Sequence, residues 1–410
     1  MNKVILILIA CFCTLSVSAQ TNNIDHAKIQ EDLNVVLSNL ENYYVYKEEK
    51  QVDFNCLRDH YTQKAKEVTN RTETVLLFEF LLDEFYDNHL TLRTNTNSSY
   101  RLFAPVYAAL QNNKPTIVNV WQTQILNLKQ EVIGAEITEF NGVSFDKAIE
   151  DFPTHCHDKS NPEVREWIIN KVLSGRYDQP RVLTLRLKSG EEIALDLDQI
   201  ELKNNNGNLS SRSVKNIGVI RINDALGNDS LVKEFDQALD ELDQTDGLIL
   251  DLRNTVFGGD TYEARGIMGR FISEPRPYQR HSLIETSNNN PDIKRSWVEY
   301  VTPRLTQYKK PVVVLVGRWT GSMGEGLAIG FEGMERGVVM GSEMRRLAGE
   351  VFDLGLKHQG FGYKLTTTKL DHVNGTPREK YIPTHYVKQT TIKQDETLEK
   401  AIALINKDNK

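Results

Sequence analysis

A serine stands in the glycine-rich stretch RWTGSMGEG, residues 318–326, directly after the apolar run PVVVLVG. The run predicts a buried strand and the residues beyond it a helix, so Ser322 falls at a helix N-terminus. The first amides of a helix have no intrahelical partner, and the dipole there favours negative charge. If the Ser322 hydroxyl attacked a carbonyl, the Met323 N–H would be placed to hold the resulting oxyanion. Gly321 and Gly324 leave the approach unobstructed. An oxyanion site wants a second donor, and LILDLRNTVFGG ends in Gly258-Gly259 just past another predicted strand. Ligand sites in α/β sheets form outside the carboxyl ends of the strands. Gly259 is therefore the candidate second oxyanion donor, and Gly258 and Gly321 are candidate substrate-binding positions. A serine before a helix also fits a plain cap, so these residues alone leave nucleophile and cap both open.

The elements that must position this serine can be traced along the chain. Apolar residues recur at helical spacing over residues 24–46 (Leu33, Val36, Leu37, Leu40, Tyr44) and again over residues 72–86. The second helix stops at Asp87-Asn88-His89 and passes into LTLRT, which alternates like a strand. Between about residues 102 and 202 the pattern changes to short strands with one or two helices. Asn141-Gly142 marks a turn there, and Ser189-Gly190 the tip of a hairpin. The polar run 203–208 reads as a linker. After it IGVIRI, GLILDL, PVVVLVG and GVVMG alternate with helical stretches, and an irregular polar segment reaches to about residue 306. Apolar strands alternating with helices predict an α/β core with a substantially parallel sheet.

Three stretches in this order, GLILDLRNTVFGG, PVVVLVGRWTGSMGEGLAIGF and GVVMGSE, resemble the C-terminal-processing (tail-specific) serine proteases and their tricorn-type relatives. Ser322 falls on the family's nucleophile, with Thr320 and Glu325 at matching offsets. The segment IGAEITEFNGVSF is similar to the PDZ-type domain these enzymes carry. The resemblance implies a ClpP/crotonase-like α/β core over 213–410, a PDZ-like domain over 101–203 and an N-terminal helical cap over 20–100. It also implies a peptidase working through an acyl-enzyme, with a PDZ-like domain that engages substrate C-termini. The serine–lysine branch places its lysine about twenty-five residues after the serine, where this chain has Leu347; Lys357 and Lys364 lie further on. The tricorn-like branch uses a histidine, and His89 in Asp87-Asn88-His89-Leu90-Thr91-Leu92 matches it, with Asn88 where that branch has a serine. It also uses a late glutamate, for which Glu379 in REKYIPTHYV is the candidate, orienting the site or the imidazole.

The rest of the chain bounds these readings. MNKVILILIACFCTLSVSAQ has the make-up of a secretory leader with cleavage near Ala19, and its apolar run is too short to span a bilayer. Processing as a lipoprotein at Cys11 is the rival. Loss of the leader removes Lys3 and takes the formal charge from −7 to −8. An acidic chain with no basic stripe argues against nucleic acid as partner. Cys56 and Cys156 would remain, either bridged or as separate buried thiols. No phosphate loop, metal-binding motif or dinucleotide fingerprint occurs, so no cofactor or metal is implied. A catalytically inactive protein binding a peptide or apolar ligand on the same fold is the alternative function. An esterase using Ser322, Asp353 and His372 or His385 is a third.

Overall fold

The computed structural model describes residues 24–286 and 290–408. The expected leader, with Ala19 and Cys11, lies outside the described residues. Helices α1 (His26–Tyr43), α2 (Phe54–Glu67) and α3 (Arg71–Asp83) come first. Asp25, Asp53 and Asn70 cap them, each accepting from first-turn amides that would otherwise lack partners. Helix α2 is an addition to the sequence reading: it buries only Leu57, Tyr61 and Ala65, a stripe too thin to stand out in FNCLRDHYTQKAKE. The buried faces of the three helices share one cluster with Ala348, Leu356, Tyr363 and Leu365, so this region packs on the C-terminal part of the chain.

Strands β1 (Val106–Gln111), β2 (Lys114–Val120), β3 (Glu136–Phe140) and β4 (Val143–Ser144) come next, then helices α4 (Phe145–Glu150) and α5 (Pro162–Ser174). Strands β5 (Val182–Arg186) and β6 (Glu192–Asp196) complete an antiparallel sheet of order β1-β2-β3-β5-β6, with β4 on β3. Asn141 and Gly142 both have positive φ (51° and 75°), as the tight turn between β3 and β4 requires. A disulfide joins Cys56 of α2 to Cys156, settling what the sequence left open. Beside it the Glu84 carboxylate accepts from Tyr61 Oη and from the amides of His155 and Cys156.

The remaining elements are β7 (Leu209–Val214), β8 (Ile217–Ala225), α6 (Leu231–Glu241), β9 (Leu248–Gly258), α7 (Thr261–Met268), β10 (Arg276–Glu285) and β11 (Ile293–Val301). They continue through β12 (Val312–Val316), α8 (Met323–Gly333), β13 (Val338–Gly341), β14 (Glu350–Gly355), β15 (Gly362–Asp371), β16 (His385–Tyr386) and α9 (Glu396–Asp408). The central sheet runs β16-β13-β12-β9-β8-β7; its pairs are parallel except β7 with β8. Its strands are buried by helices, which is why they read as unbroken apolar runs.

Two expectations differ. The segment expected to be irregular is the hairpin β10–β11, which joins β15 and β14 in an antiparallel sheet of order β11-β10-β15-β14. Its outer strand IKRSWVEYV is largely exposed and polar, so alternation of apolar residues is weak there. LTLRT forms no named strand: Leu92 makes a single bridge with Tyr363, and neighbouring backbone bonds (Arg93 N–H to Gly362 O, Lys364 N–H to Thr91 O) hold it extended along β15. This contact carries His89 toward the core.

Candidate active site

The turn between β12 and α8 is fastened to β9. Thr320 Oγ1 donates to Leu252 O (2.9 Å) and accepts from Gly317 N–H (3.1 Å); Gly321 N–H donates to Thr255 O (2.9 Å). Ser322 is then forced into φ 51°, ψ −116°, a conformation that L-residues avoid at about 1–3 kcal/mol. The buried Glu325, one turn into α8, holds this shape: its carboxylate accepts the Ser322 N–H (2.8 Å). The Ser322 hydroxyl is directed at an imidazole, Oγ lying 3.1 Å from His89 Nε2.

His89 is buried, and three contacts fix it. Its own N–H donates to Asp87 Oδ1 (2.8 Å), and Asp87 Oδ2 in turn accepts from Tyr44 Oη (3.0 Å). Its Nδ1 lies 3.0 Å from the Ala348 carbonyl. A carbonyl only accepts, so the proton sits on Nδ1 and the Nε2 lone pair faces the serine hydroxyl. Burial, then the charge of Arg378, lowers the His89 pKa to about 3. The imidazole is therefore neutral across the physiological range.

Glu325 also reaches the segment between β13 and β14, which carries Ala348. Its carboxylate accepts from the amides of Arg346 (2.8 Å) and Leu347 (3.1 Å), and burial raises its pKa to about 7 against these bonds and Arg378. From the other side the buried Arg378 donates to the carbonyls of Leu347 (3.0 Å) and Gly349 (2.8 Å). One carboxylate and one guanidinium thus set the two residues flanking Ala348, and through its carbonyl the tilt of the imidazole. Sequence reasoning attached no role to Asp87, Glu325, Ala348 or Arg378. Glu325 stood in the motif match; Ala348 acts through its backbone and has no side-chain signature.

The side of Ser322 expected to hold an oxyanion is built from glycine. A Cβ at Gly258 (φ +71°) would lie 2.3 Å from Ser322 Cβ, 2.9 Å from its Oγ and 2.7 Å from Met323 N. Any other residue would therefore fill the space where an oxyanion would sit. Gly258 O accepts from Leu226 N–H (2.5 Å), and in a trans peptide the following N–H points the opposite way, so the Gly259 amide faces away from β8. At Gly259 (φ +134°) a Cβ would run into Leu226 and Gly227 backbone at 2.5–2.7 Å. A Cβ at Gly321 would lie 2.5 Å from Val256 O, closing the turn on β9.

The other candidates stand elsewhere. Glu379 does not contact His89 or Ser322: Tyr46 Oη donates to its Oε2 (3.3 Å), and burial raises its pKa. It lines a 640 Å³ cavity together with Asp87, Asn88, Arg345 and Ala348. Asn88 is exposed. Lys357 pairs with Glu31, and Lys364 donates its backbone N–H to Thr91. Asp353 pairs with Arg93, and His372 stacks on Tyr381, so neither takes part in an esterase triad at Ser322. Among the described residues no group of three His, Cys, Asp or Glu side chains is arranged to hold a metal ion, and no helix is long and apolar enough to cross a membrane.

Residues 216–396 match the model of peptidase family S41, and residues 25–83 that of the tricorn protease C1 domain. Among solved structures the chain is similar to mature CPAF (14% identity, TM-score 0.63, covering 94% of this chain and 99% of that one). It is also similar to a putative peptidase from Parabacteroides merdae (16%, 0.58, 93% and 97%). A third is the photosystem II D1 C-terminal processing protease (17%, 0.51, 88% and 92%). At these identities the likeness is one of fold. No curated protein matches the chain.

Proposed function

From the match of residues 216–396 to the peptidase family S41 model, we propose that the protein is an exported serine endopeptidase of the serine–histidine kind. The observation that carries this reading is the 3.1 Å approach of His89 Nε2 to Ser322 Oγ across 233 residues of sequence. A helix cap has no need of an imidazole partner of this kind: a neutral imidazole with its lone pair on the hydroxyl is what general-base attack requires.

As Oγ attacks a peptide carbonyl, Nε2 takes the hydroxyl proton while Nδ1–H stays on the Ala348 carbonyl. The new oxyanion lies against the amides of Met323 and Gly259. Collapse breaks the C–N bond, and the Nε2 proton passes to the leaving amine. Water then attacks the acyl ester, giving its proton to Nε2, and Oγ recovers that proton as the acid departs. Burial and Arg378 disfavour the imidazolium; the adjacent oxyanion offsets this during the step itself. Glu379 supports, through Tyr46, the wall of the cavity that Asp87, Asn88 and Ala348 also line. Residues 101–203, a small antiparallel sheet with helices, would engage substrate C-termini by strand addition. Export rests on the make-up of the first twenty residues.

One observation favours a peptide-binding protein without turnover: Nδ1 meets a carbonyl rather than a carboxylate, so the imidazolium gains less support than in a serine–histidine–acid triad. Labelling by a fluorophosphonate at neutral pH decides. Labelling abolished by Ser322→Ala and lowered at least a hundredfold by His89→Ala is the expected result. Labelling indifferent to His89 would overturn the assignment of the base, and none at all would leave the binding protein.

A further inference from the structure

Strand β9 is buried at every residue from Leu248 to Val256, yet Phe257 is 53% exposed, one residue before the oxyanion glycines. A large aromatic left in water at the mouth of a site is a feature that ligand contact explains. Its neighbours are aromatic too. The Phe103 ring lies 6.0 Å from Phe257 and meets Trp121 edge-on at 5.5 Å, and Trp121 stacks on Trp319 at 5.3 Å and 2°. Trp319 belongs to the turn that carries Ser322, so the wall behind Phe103 is rigid and tied to the nucleophile. Arg345 makes a second tie. It donates to Val256 O and to Leu102 O (3.0 Å each), lies over Phe103 at 5.4 Å, and brings its Cδ within 3.3 Å of where a Gly321 Cβ would stand. Leu102 is itself 49% exposed.

We propose that Phe257, Phe103 and Leu102 form the subsite for a bulky apolar side chain on the substrate residue whose carbonyl is attacked. The proposal rests on the serine-peptidase reading of Ser322. That side chain leaves a Cα one bond from the reacting carbon, and Phe257 leaves β9 one residue from the glycine whose missing Cβ lies 2.9 Å from Oγ. The two are therefore neighbours when the carbonyl is in place. One methylene in an apolar pocket discriminates roughly 10- to 200-fold, so Phe or Leu at this position should exceed Ala by at least that factor in kcat/KM.

The test compares quenched peptides that differ only in that residue (Phe, Leu, Ala, Asp), and diphenyl phosphonate esters of Phe and Ala, which report the subsite without turnover. Wild type, Phe257→Ser and a distant control, Tyr43→Ser, are measured side by side. The expected result is a strong Phe and Leu preference in wild type and Tyr43→Ser. In Phe257→Ser it should fall to within a few-fold, with cleavage of the Ala peptide and fluorophosphonate labelling retained. Labelling of Ser322 with no preference, or a preference unchanged in Phe257→Ser, would overturn the subsite alone. Absence of any Ser322 labelling would overturn the peptidase reading and the subsite with it. If sedimentation shows Phe257→Ser dissociating an oligomer while the preference is unchanged, the patch is a contact between copies of the chain and not a subsite.

Discussion

In the proposed reaction His89 accepts a proton while buried beside Arg378, and Glu325 titrates where most carboxylates do not. Between pH 8 and pH 5 the imidazole, held to about 3, stays neutral, whereas Glu325, raised to about 7, takes up a proton. A protonated Glu325 attracts the three amides it holds less strongly. Labelling of Ser322 is therefore expected to slow as pH falls through about 7, and Glu325→Gln to remove that limb while lowering the rate at pH 8. An inflection near 6.5 that survives Glu325→Gln would assign an ordinary pKa to His89 instead. Gly258→Ala tests the oxyanion space: its Cβ would stand 2.7 Å from Met323 N. Loss of a single oxyanion donor costs roughly 10²–10³ in rate, and Gly258→Ala should cost at least as much, with the fold retained by circular dichroism. The placement of Ser322, Gly258 and Gly259 at strand ends was legible because an apolar run followed by a glycine-rich turn is a local pattern. Glu379 was misplaced as a partner of the imidazole, since a backbone carbonyl fills that place.

At the scale of elements, the Cys56–Cys156 bridge ties α2 to the segment between α4 and α5 across 100 residues. Closing a loop of that size removes chain entropy worth about 4.7 kcal/mol from the unfolded state. Replacing both cysteines with Ser should lower the unfolding free energy in urea by roughly 3–5 kcal/mol. Labelling of Ser322 at low temperature should be unchanged, because Cys56 and Cys156 make no contact with the dyad. A full loss of labelling in the folded variant would show instead that the bridge sets the position of His89. The parallel strands and their helices could be traced in the sequence because burial on both faces leaves uninterrupted apolar runs. Helix α2 and the β10–β11 hairpin could not: each has an exposed face, and their partners are remote in the chain.

At the scale of the molecule, charge buried around the site shifts stability with pH. Burial raises Asp83 to about 6 and Glu325 to about 7, so both keep protons that the unfolded chain has released; their contribution is full below about 4 and lost as pH rises through 6–7. His281, lowered by burial but raised on balance by Glu299 and Glu350, acts in the same direction. His89 opposes them, costing stability as pH falls from 6.5 toward 3. Glu299, held at about 2 by His281 and Tyr278, keeps its partners at pH 3.5. Its stabilising contribution nevertheless declines as pH falls from about 4.5 toward 2, because the unfolded chain takes up the proton first. Thermal melts should therefore place Tm a few degrees higher at pH 5.5 than at pH 8 and clearly lower at pH 3.5. A Tm that rises steadily from pH 5.5 to pH 8 would contradict this balance.

By itself the sequence determined the parallel-rich core, the turn that presents Ser322 and the glycines beside it, because each depends on neighbours within a few residues. The motif around His89 named a candidate base without showing where it stands. Only the tertiary structure decided that LTLRT lies along β15, that His89 reaches Ser322, and that Ala348, Glu325 and Arg378 hold it there. Those contacts join residues up to a few hundred positions apart. No local pattern encodes them, since they follow from how separately formed elements bury their apolar faces against one another.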